Sequence, residues 1–508
     1  MSRIAVLIAA ALALGSPEAT SAQVSLARPF GDHMVLQRGE HVPVFGSASP
    51  WETIELTFGT ATVTATADAA GRWHADLGPL AADRVPRDLV ALGSSGGVTV
   101  RDVLVGEVWM ASGQSNMEWP LRLAGEFDAA RTRLHRPQIR LCAMEGAVRP
   151  GKQVQESEQL ERLVPETFFD LRWTPSARSS APEFSAVAWF FAERLADELR
   201  VPIGVIDNAY GGSAIEAWLP REVLLASPET RLLGQLAVDG WIADETTFPW
   251  VREQAEQDLG RWRERASLFG MPPPQHHPFE PAFLWEAAVQ PFAGFGLRGV
   301  IWYQGESNAH DPALYEFMFR KFVPAWRRWL DAPELVFEWT QLAAYGPGSD
   351  WPEVRERQRA CLDLGNCGMA VTIDVGHPES IHPPRKEPVG RRLAGLALHD
   401  VYGRIDLARE GPRPIAAIRE DLATIRVIFT SADGLALRAG EGFGGFELLD
   451  AAGTPLTVTG ELAGTTVLLT VPAGFEPLAV RYAWAPYPSA PLVNGAGLPA
   501  VPFRLVLQ

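Results

Sequence analysis

The sequence predicts an α/β protein, a parallel sheet packed with helices and carrying a β-rich segment at each end. Three observations lead there. Short alternating runs fill Val24 to Thr99, among them Val42-Pro43-Val44-Phe45, Thr53 to Thr57 and Ala61 to Ala67, the period of half-buried strands between turns. From Val103 to Met110 the run is nearly continuously apolar, as in a strand buried on both faces, and longer helical patterns follow it. After about Leu407 only short β patterns return, at Thr424 to Phe429, Val467 to Val471 and Leu478 to Trp484.

The expected division is therefore a β-sandwich-like domain over 23–100, an α/β domain over 101–405 and a second β domain over 406–508. Within the middle domain, Ala186 to Leu199 carries a Phe190, Phe191, Leu195, Leu199 stripe at helical spacing, and buried strands are expected at Ile203 to Ile206, Gly299 to Tyr303 and Met369 to Ile373. Strand alternating with helix implies a parallel sheet. An apparent insertion at about 224–281 is rich in Trp, Pro and Glu and ends in Pro272-Pro273-Pro274.

The first 22 residues follow the order of a secretory leader: Arg3, the apolar run Ile4 to Gly15, then small residues at Thr20 and Ala22. That run is too short to span a bilayer of about 30 Å, so the expectation is an exported protein, periplasmic or extracellular, without membrane insertion. Forty-five basic against 61 acidic residues, a formal charge of −16, argue against a nucleic-acid partner. Three cysteines are too few for a disulfide scaffold, although Cys361 and Cys367 could close a small loop and leave Cys142 over. No Cys/His cluster has zinc-ligand spacing, and no metal or cofactor is expected.

Chemistry gathers at the ends of four expected strands, where parallel sheets place their sites. The first end reads Gly113-Gln114-Ser115-Asn116-Met117, a serine on a glycine-led turn into a short helix. Such a serine can simply cap the helix, or expose its hydroxyl as a nucleophile with its own amide free for an anion. The second, Tyr210-Gly211-Gly212-Ser213, lets backbone amides approach a ligand. The third, Gln304-Gly305-Glu306-Ser307-Asn308, offers side-chain amides that can donate to an oxyanion. The fourth runs from Asp374 through His377, Glu379 and Ser380 to His382, supplying imidazoles and carboxylates. Nucleophile, amide donors, base and acid converging from separate strand ends are the parts acyl transfer requires.

Other features read as structure. Gly93-Ser94-Ser95-Gly96-Gly97 has the Gly-x-Ser-x-Gly spacing but lies between short strands with no helix behind it, so it is expected to be a turn. His377 is expected on an exposed loop, Asp32 and Arg38 as a structural ion pair, and Lys386 and Arg391 as solvated helix cations with a secondary reading as attractors of an acidic sugar.

The ordered motifs Asp32 to Arg38, Gly106-Glu107-Val108-Trp109, Gly113 to Met117, Tyr210 to Ser213 with Glu216-Ala217-Trp218, Trp302 to Asn308, Ile381-His382-Pro383 with Lys386, and Gly497-Leu498-Pro499-Ala500 resemble the sialate O-acetylesterase-like branch of the SGNH hydrolases. The resemblance runs along nearly the whole mature chain. It implies a three-layer α/β/α SGNH domain flanked by β domains, with Ser115 attacking an acetyl carbonyl, His382 taking its proton, and the Ser115 and Gly212 amides facing the oxyanion.

Two departures stand out. Many SGNH enzymes carry an amide donor as Asn in a Gly-x-Asn pattern, whereas Ser307 occupies that position here, leaving Gln304, or else Asn308, as third donor. The residue three before the histidine is Glu379 rather than Asp, so Glu379 is the expected triad acid and Asp374 the runner-up. A Ser–His dyad without either acid is also chemically workable. The implied substrate is an acetylated mono-, oligo- or polysaccharide, with acetylated sialic acid and acetylated xylan competing. Two other classes remain open: a non-catalytic glycan-binding protein, and a glycosidase using Glu306 and Asp374, which requires carboxylates about 5–5.5 or 6.5–9.5 Å apart.

Overall fold

The computed structural model describes residues 23–239, 249–270, 276–347 and 350–508. The expected leader, the tri-proline run and part of the insertion lie outside the described residues.

The core is a twisted sheet built on one long strand. β1 (Gly96–Gly113) is joined by β2 (Arg136–Gly146), β3 (Phe169–Ser176), β4 (Ile203–Ala209), β5 (Gly299–Tyr303), β6 (Val336–Thr340) and β7 (Cys367–Ala370), in the spatial order β3-β2-β4-β1-β5-β6-β7. All neighbours are parallel except the β3 edge, which runs antiparallel to β2. Among the described residues the longer helices are α1 (Ala186–Leu199), α2 (Pro249–Phe269), α3 (Pro312–Trp329), α4 (Trp351–Ala360) and α5 (Glu387–Asp400), of which α2 is tied to the segment at Val154 by Trp262 Nε1, which donates to Val154 O at 2.8 Å. α1 packs on α5, and α3 on α4. Caps fix where they start: Ser185 Oγ accepts from Ala188 N at 3.1 Å, and Asp311 Oδ1 from Leu314 N at 2.9 Å ahead of Pro312.

β1 explains why the expected break at 100/101 is invisible in the backbone. Its first third alternates exposed and covered residues and pairs in a hairpin with Asp83–Gly93, while from Val103 onward every residue is buried. One strand thus serves the N-terminal β region and the central sheet. The Gly93 to Gly97 segment is the turn of that hairpin, with the Ser94 and Ser95 hydroxyls donating to Glu52.

The N-terminal region also pairs Val35–Gln37 parallel to Leu104–Gly106, and Gln37 Oε1 accepts from Val108 N at 2.8 Å. The expected Asp32–Arg38 ion pair does not form. Asp32 accepts from the Arg101 amide at 2.7 Å, and Arg38 turns to the buried Glu107, which Arg298 also holds at 3.0 Å.

At the other end, two four-stranded antiparallel sheets face each other across Phe429, Phe446, Tyr482 and Phe503. This β region is locked to the core by Arg355, whose guanidinium has 0% exposure. It donates to Leu342 O at 3.0 Å, Ala485 O at 2.9 Å and Pro486 O at 2.7 Å, and burial draws it down to about 9. Cys142, Cys361 and Cys367 are free thiols.

Arg355→Leu removes every one of those donors; Pro486 O keeps the Tyr345 amide, but Leu342 O and Ala485 O lose their partner, so the change is expected to cost about 3 kcal/mol, read as a lowered urea midpoint.

Candidate active site

β4, β1 and β5 end level with one another: Ala209 pairs with Gly113, and Gly113 with Tyr303. The loops that follow therefore leave the sheet side by side. Gly113 has φ +134°, and a Cβ there would lie 2.1 Å from Tyr303 O, so only glycine permits the approach. Gln114 N donates to Tyr303 O at 3.0 Å and Tyr210 N to Gly113 O at 3.0 Å, clamping the three exits together.

Ser115 opens the helical turn Ser115–Glu118 just beyond this clamp. His382, arriving on the loop after β7, brings Nε2 to 2.7 Å from Ser115 Oγ. Both residues are part-buried and keep an open side. The Trp119 ring stacks on the imidazole at 5.3 Å and 27°. Burial, and secondarily the Lys386 cation, hold His382 below its ordinary 6.5.

Among the described residues neither the Ser115 nor the Gly212 amide has a protein acceptor, whereas Gly211 N donates to Glu118 Oε2 at 2.7 Å. Gly212 has φ +76°, and a Cβ there would meet the Phe279 ring at 2.8 Å. Two amides are thus left without a protein acceptor, one on Ser115 itself and one on the turn that leaves the neighbouring strand, the kind of donor an oxyanion site uses. Burial drives the Glu118 carboxyl up to about 7, and burial together with Glu118 drives Asp207 well above the carboxylate range.

The side-chain amides expected to add a third donor are spent elsewhere. Gln304 Nε2 donates to Asn308 Oδ1 at 2.7 Å and Ser213 O at 3.3 Å, and Asn308 Nδ2 donates to Glu216 Oε2 at 2.9 Å. Asn308 Oδ1 also accepts from Ile215 N at 2.9 Å, while Ser307 Oγ donates to Gly212 O at 3.0 Å. This loop braces the glycine turn instead of facing the serine.

The expected acids are not brought to His382 either. Glu379 is exposed, and Asp374 is held by Arg392 through two bonds of 2.6 and 2.7 Å, which keep it below its usual range despite burial. Among the described residues no carboxylate lies within hydrogen-bonding reach of either imidazole nitrogen of His382. His377 is half-buried and braces the loop, its Nδ1 accepting from Glu379 N at 3.1 Å and Ser380 N at 3.0 Å.

Lys386 departs most from expectation. It has 0% exposure, and Nζ donates to Asn116 Oδ1 at 2.5 Å between the rings of Trp119 and Tyr303, 5.4 and 5.7 Å away. Burial lowers it to about 7. Asn116 Nδ2 donates to Glu306 Oε1 at 2.6 Å and Ile381 O at 2.9 Å. Glu306, buried and pushed up by that burial, therefore belongs to this network, and Arg391 pairs with Glu387 at 2.7 Å. Asn116, Trp119 and Glu118 were not singled out by sequence, although all lie within four residues of Ser115.

Among the described residues no three His, Cys, Asp or Glu side chains converge as a metal site requires, and no helix is long and apolar enough to cross a membrane.

Residues 282–398 match the family described as carbohydrate esterase, sialic acid-specific acetylesterase. Sialate O-acetylesterase of Mus musculus is 31% identical over 428 residues, covering 75% of this chain and 74% of the mouse protein. The Homo sapiens sialate O-acetylesterase is 30% identical over 346 residues, covering 62% of this chain and 57% of the human protein. A carbohydrate acetylesterase from Xanthomonas citri shares the fold with a TM-score of 0.77 and 32% identity, over 95% of this chain and 99% of that one.

Because the Glu118 carboxyl is raised from 4.5 to about 7, its protonated form is the one the fold favours, and that contribution is lost as pH rises through 7. The stability of the protein relative to Glu118→Gln is expected to fall by about 3 kcal/mol between pH 4.5 and 8, measured by urea unfolding across that range.

Proposed function

We propose that this chain, which belongs to the carbohydrate-esterase family related to the sialate O-acetylesterases, is a serine esterase that hydrolyses O-acetyl groups on a sugar. The observation that carries the reading is the 2.7 Å approach of His382 Nε2 to Ser115 Oγ, with the amides of Ser115 and Gly212 left unclaimed by the protein. A helix-capping serine needs neither the imidazole nor the amides.

In this reading Ser115 Oγ attacks the acetyl carbonyl and its proton passes to His382 Nε2. The Ser115 and Gly212 amides receive the developing oxyanion, with no reorganisation of the chain at that moment. The sugar hydroxyl leaves with the proton from His382, giving an acetyl-enzyme, and a water activated by the same imidazole releases acetate. The lowered His382 keeps the base neutral at pH 7, ready to accept.

For the sugar, the mouse and human relatives favour acetylated sialic acid. One observation favours a neutral acetylated polysaccharide instead: Lys386, the cation nearest the imidazole, is sealed from solvent and bonded to Asn116, so it cannot receive a sugar carboxylate. An exported protein would meet either kind of glycan.

Ser115→Ala is expected to lower acetate release from 4-nitrophenyl acetate, acetylated sialic acid and acetylated xylan by at least about 10³-fold with the fold intact by circular dichroism. Glu379→Ala is expected to stay within about threefold of wild type, since its carboxylate is exposed. The acid limb of kcat/KM should fall below pH 6.5, because a lowered imidazole loses its basic form only at lower pH. Undiminished turnover in Ser115→Ala would remove it as nucleophile, and no turnover by wild type on any acetylated sugar would leave a glycan-binding protein.

A further inference from the structure

A serine esterase must fix the rotation of its imidazole, a task usually given to a carboxylate at Nδ1. Here, among the described residues, none reaches that nitrogen. His382 is held through its backbone instead. Asn116, the neighbour of Ser115, donates Nδ2 to the carbonyl of Ile381, the neighbour of His382, at 2.9 Å. One side chain therefore ties the turn carrying the nucleophile to the loop carrying the base, 265 residues apart in sequence.

The orientation of that amide is forced. An ammonium can only donate, so Lys386 Nζ, 2.5 Å away, requires Oδ1 on its side. The Ile381 carbonyl can only accept, so it requires Nδ2 on the other, and Glu306 Oε1 takes the second Nδ2 hydrogen at 2.6 Å. A flipped amide would set donor against donor and oxygen against oxygen. Lys386 also faces the Trp119 ring that stacks on His382, so it bears on the imidazole from a second side.

A fully buried lysine with no carboxylate bonded to it is costly to keep. Packing alone would be served by methionine. We propose that Asn116, locked by Lys386 and Glu306, is the positioning residue that aims His382 at Ser115 in place of a triad carboxylate; this rests on the serine-esterase reading above.

The test compares wild type, Ser115→Ala, Asn116→Ala and Lys386→Met by kcat, KM and the pH dependence of kcat/KM on 4-nitrophenyl acetate, with melting temperature and circular dichroism recorded for each. Misaiming the base by about 1 Å costs on the order of 10²-fold, so Asn116→Ala is expected to lose that much in kcat with KM within about threefold. Lys386→Met is expected to lose kcat about tenfold or more and also to move the acid limb to higher pH, because the cation that opposes protonation of His382 is gone. A purely structural role would lower the amount of folded enzyme without moving that limb. If Lys386→Met does not fold, the kcat and KM of Asn116→Ala decide. Folded Asn116→Ala with wild-type kcat would overturn the proposal while leaving the esterase standing. Wild type no faster than Ser115→Ala would overturn the esterase reading and this one with it.

Discussion

Three parallel strands ending at one level, with a glycine at the middle exit, are the constraint from which the site follows. Gly113 lets Tyr303 O come where a Cβ would otherwise stand, and the paired bonds Gln114 N to Tyr303 O and Tyr210 N to Gly113 O make the three following loops one rigid unit. Ser115 and the Gly211-Gly212 turn inherit their separation from the sheet spacing, not from their own side chains. A larger residue at 113 would part the strands that carry them. The loop from Gln304 to Asn308 then acts on the site indirectly, by holding the Gly212 carbonyl and the Ile215 amide.

The four strands were legible in sequence as buried apolar runs followed by glycine or a polar turn, although three of them end at Gly113, Ala209 and Ala370 and not at the expected Met110, Ile206 and Ile373; the pattern marked the segments that carry Ser115, Gly212 and His382, and the resemblance singled out those residues within them. The core expected from alternating strand and helix is likewise the α/β core observed, with β-rich regions before and after it. The division near residue 100 was legible as a change of pattern, from alternating to fully buried, but β1 shows that such a change marks what covers a strand, not where it stops. Side-chain partners were the hidden part. Asp32 and Arg38 are close in sequence and opposite in charge, yet the strand pairing hands Arg38 to Glu107.

Lys386 shows the physical reason most plainly. At the start of an amphipathic helix a lysine normally reaches water, and nothing local says otherwise. Its burial is made by Trp119 and Tyr303, which arrive from segments 267 and 83 residues earlier, and its acceptor belongs to Asn116. The same holds for Arg355, whose acceptors at Ala485 and Pro486 come from the far end of the chain. Buried charge in this protein is found where two regions of sequence meet, and sequence pattern describes each region by itself.

In the proposed mechanism these buried groups also set how the chemistry is shared. In a full triad the carboxylate both orients the imidazole and stabilises the imidazolium formed during attack. Here the nearest charge on His382 is the Lys386 cation, which opposes that imidazolium. Orientation can be recovered through the backbone by Asn116, since a hydrogen bond to Ile381 O carries no charge. In the proposed mechanism stabilisation of the imidazolium is not recovered that way, so more of the transition state would rest on the amides of Ser115 and Gly212. A site built in this way depends on backbone geometry where others depend on an acid, and the bonds that set that geometry lie at Gly113 and at the turn that Ser307 holds.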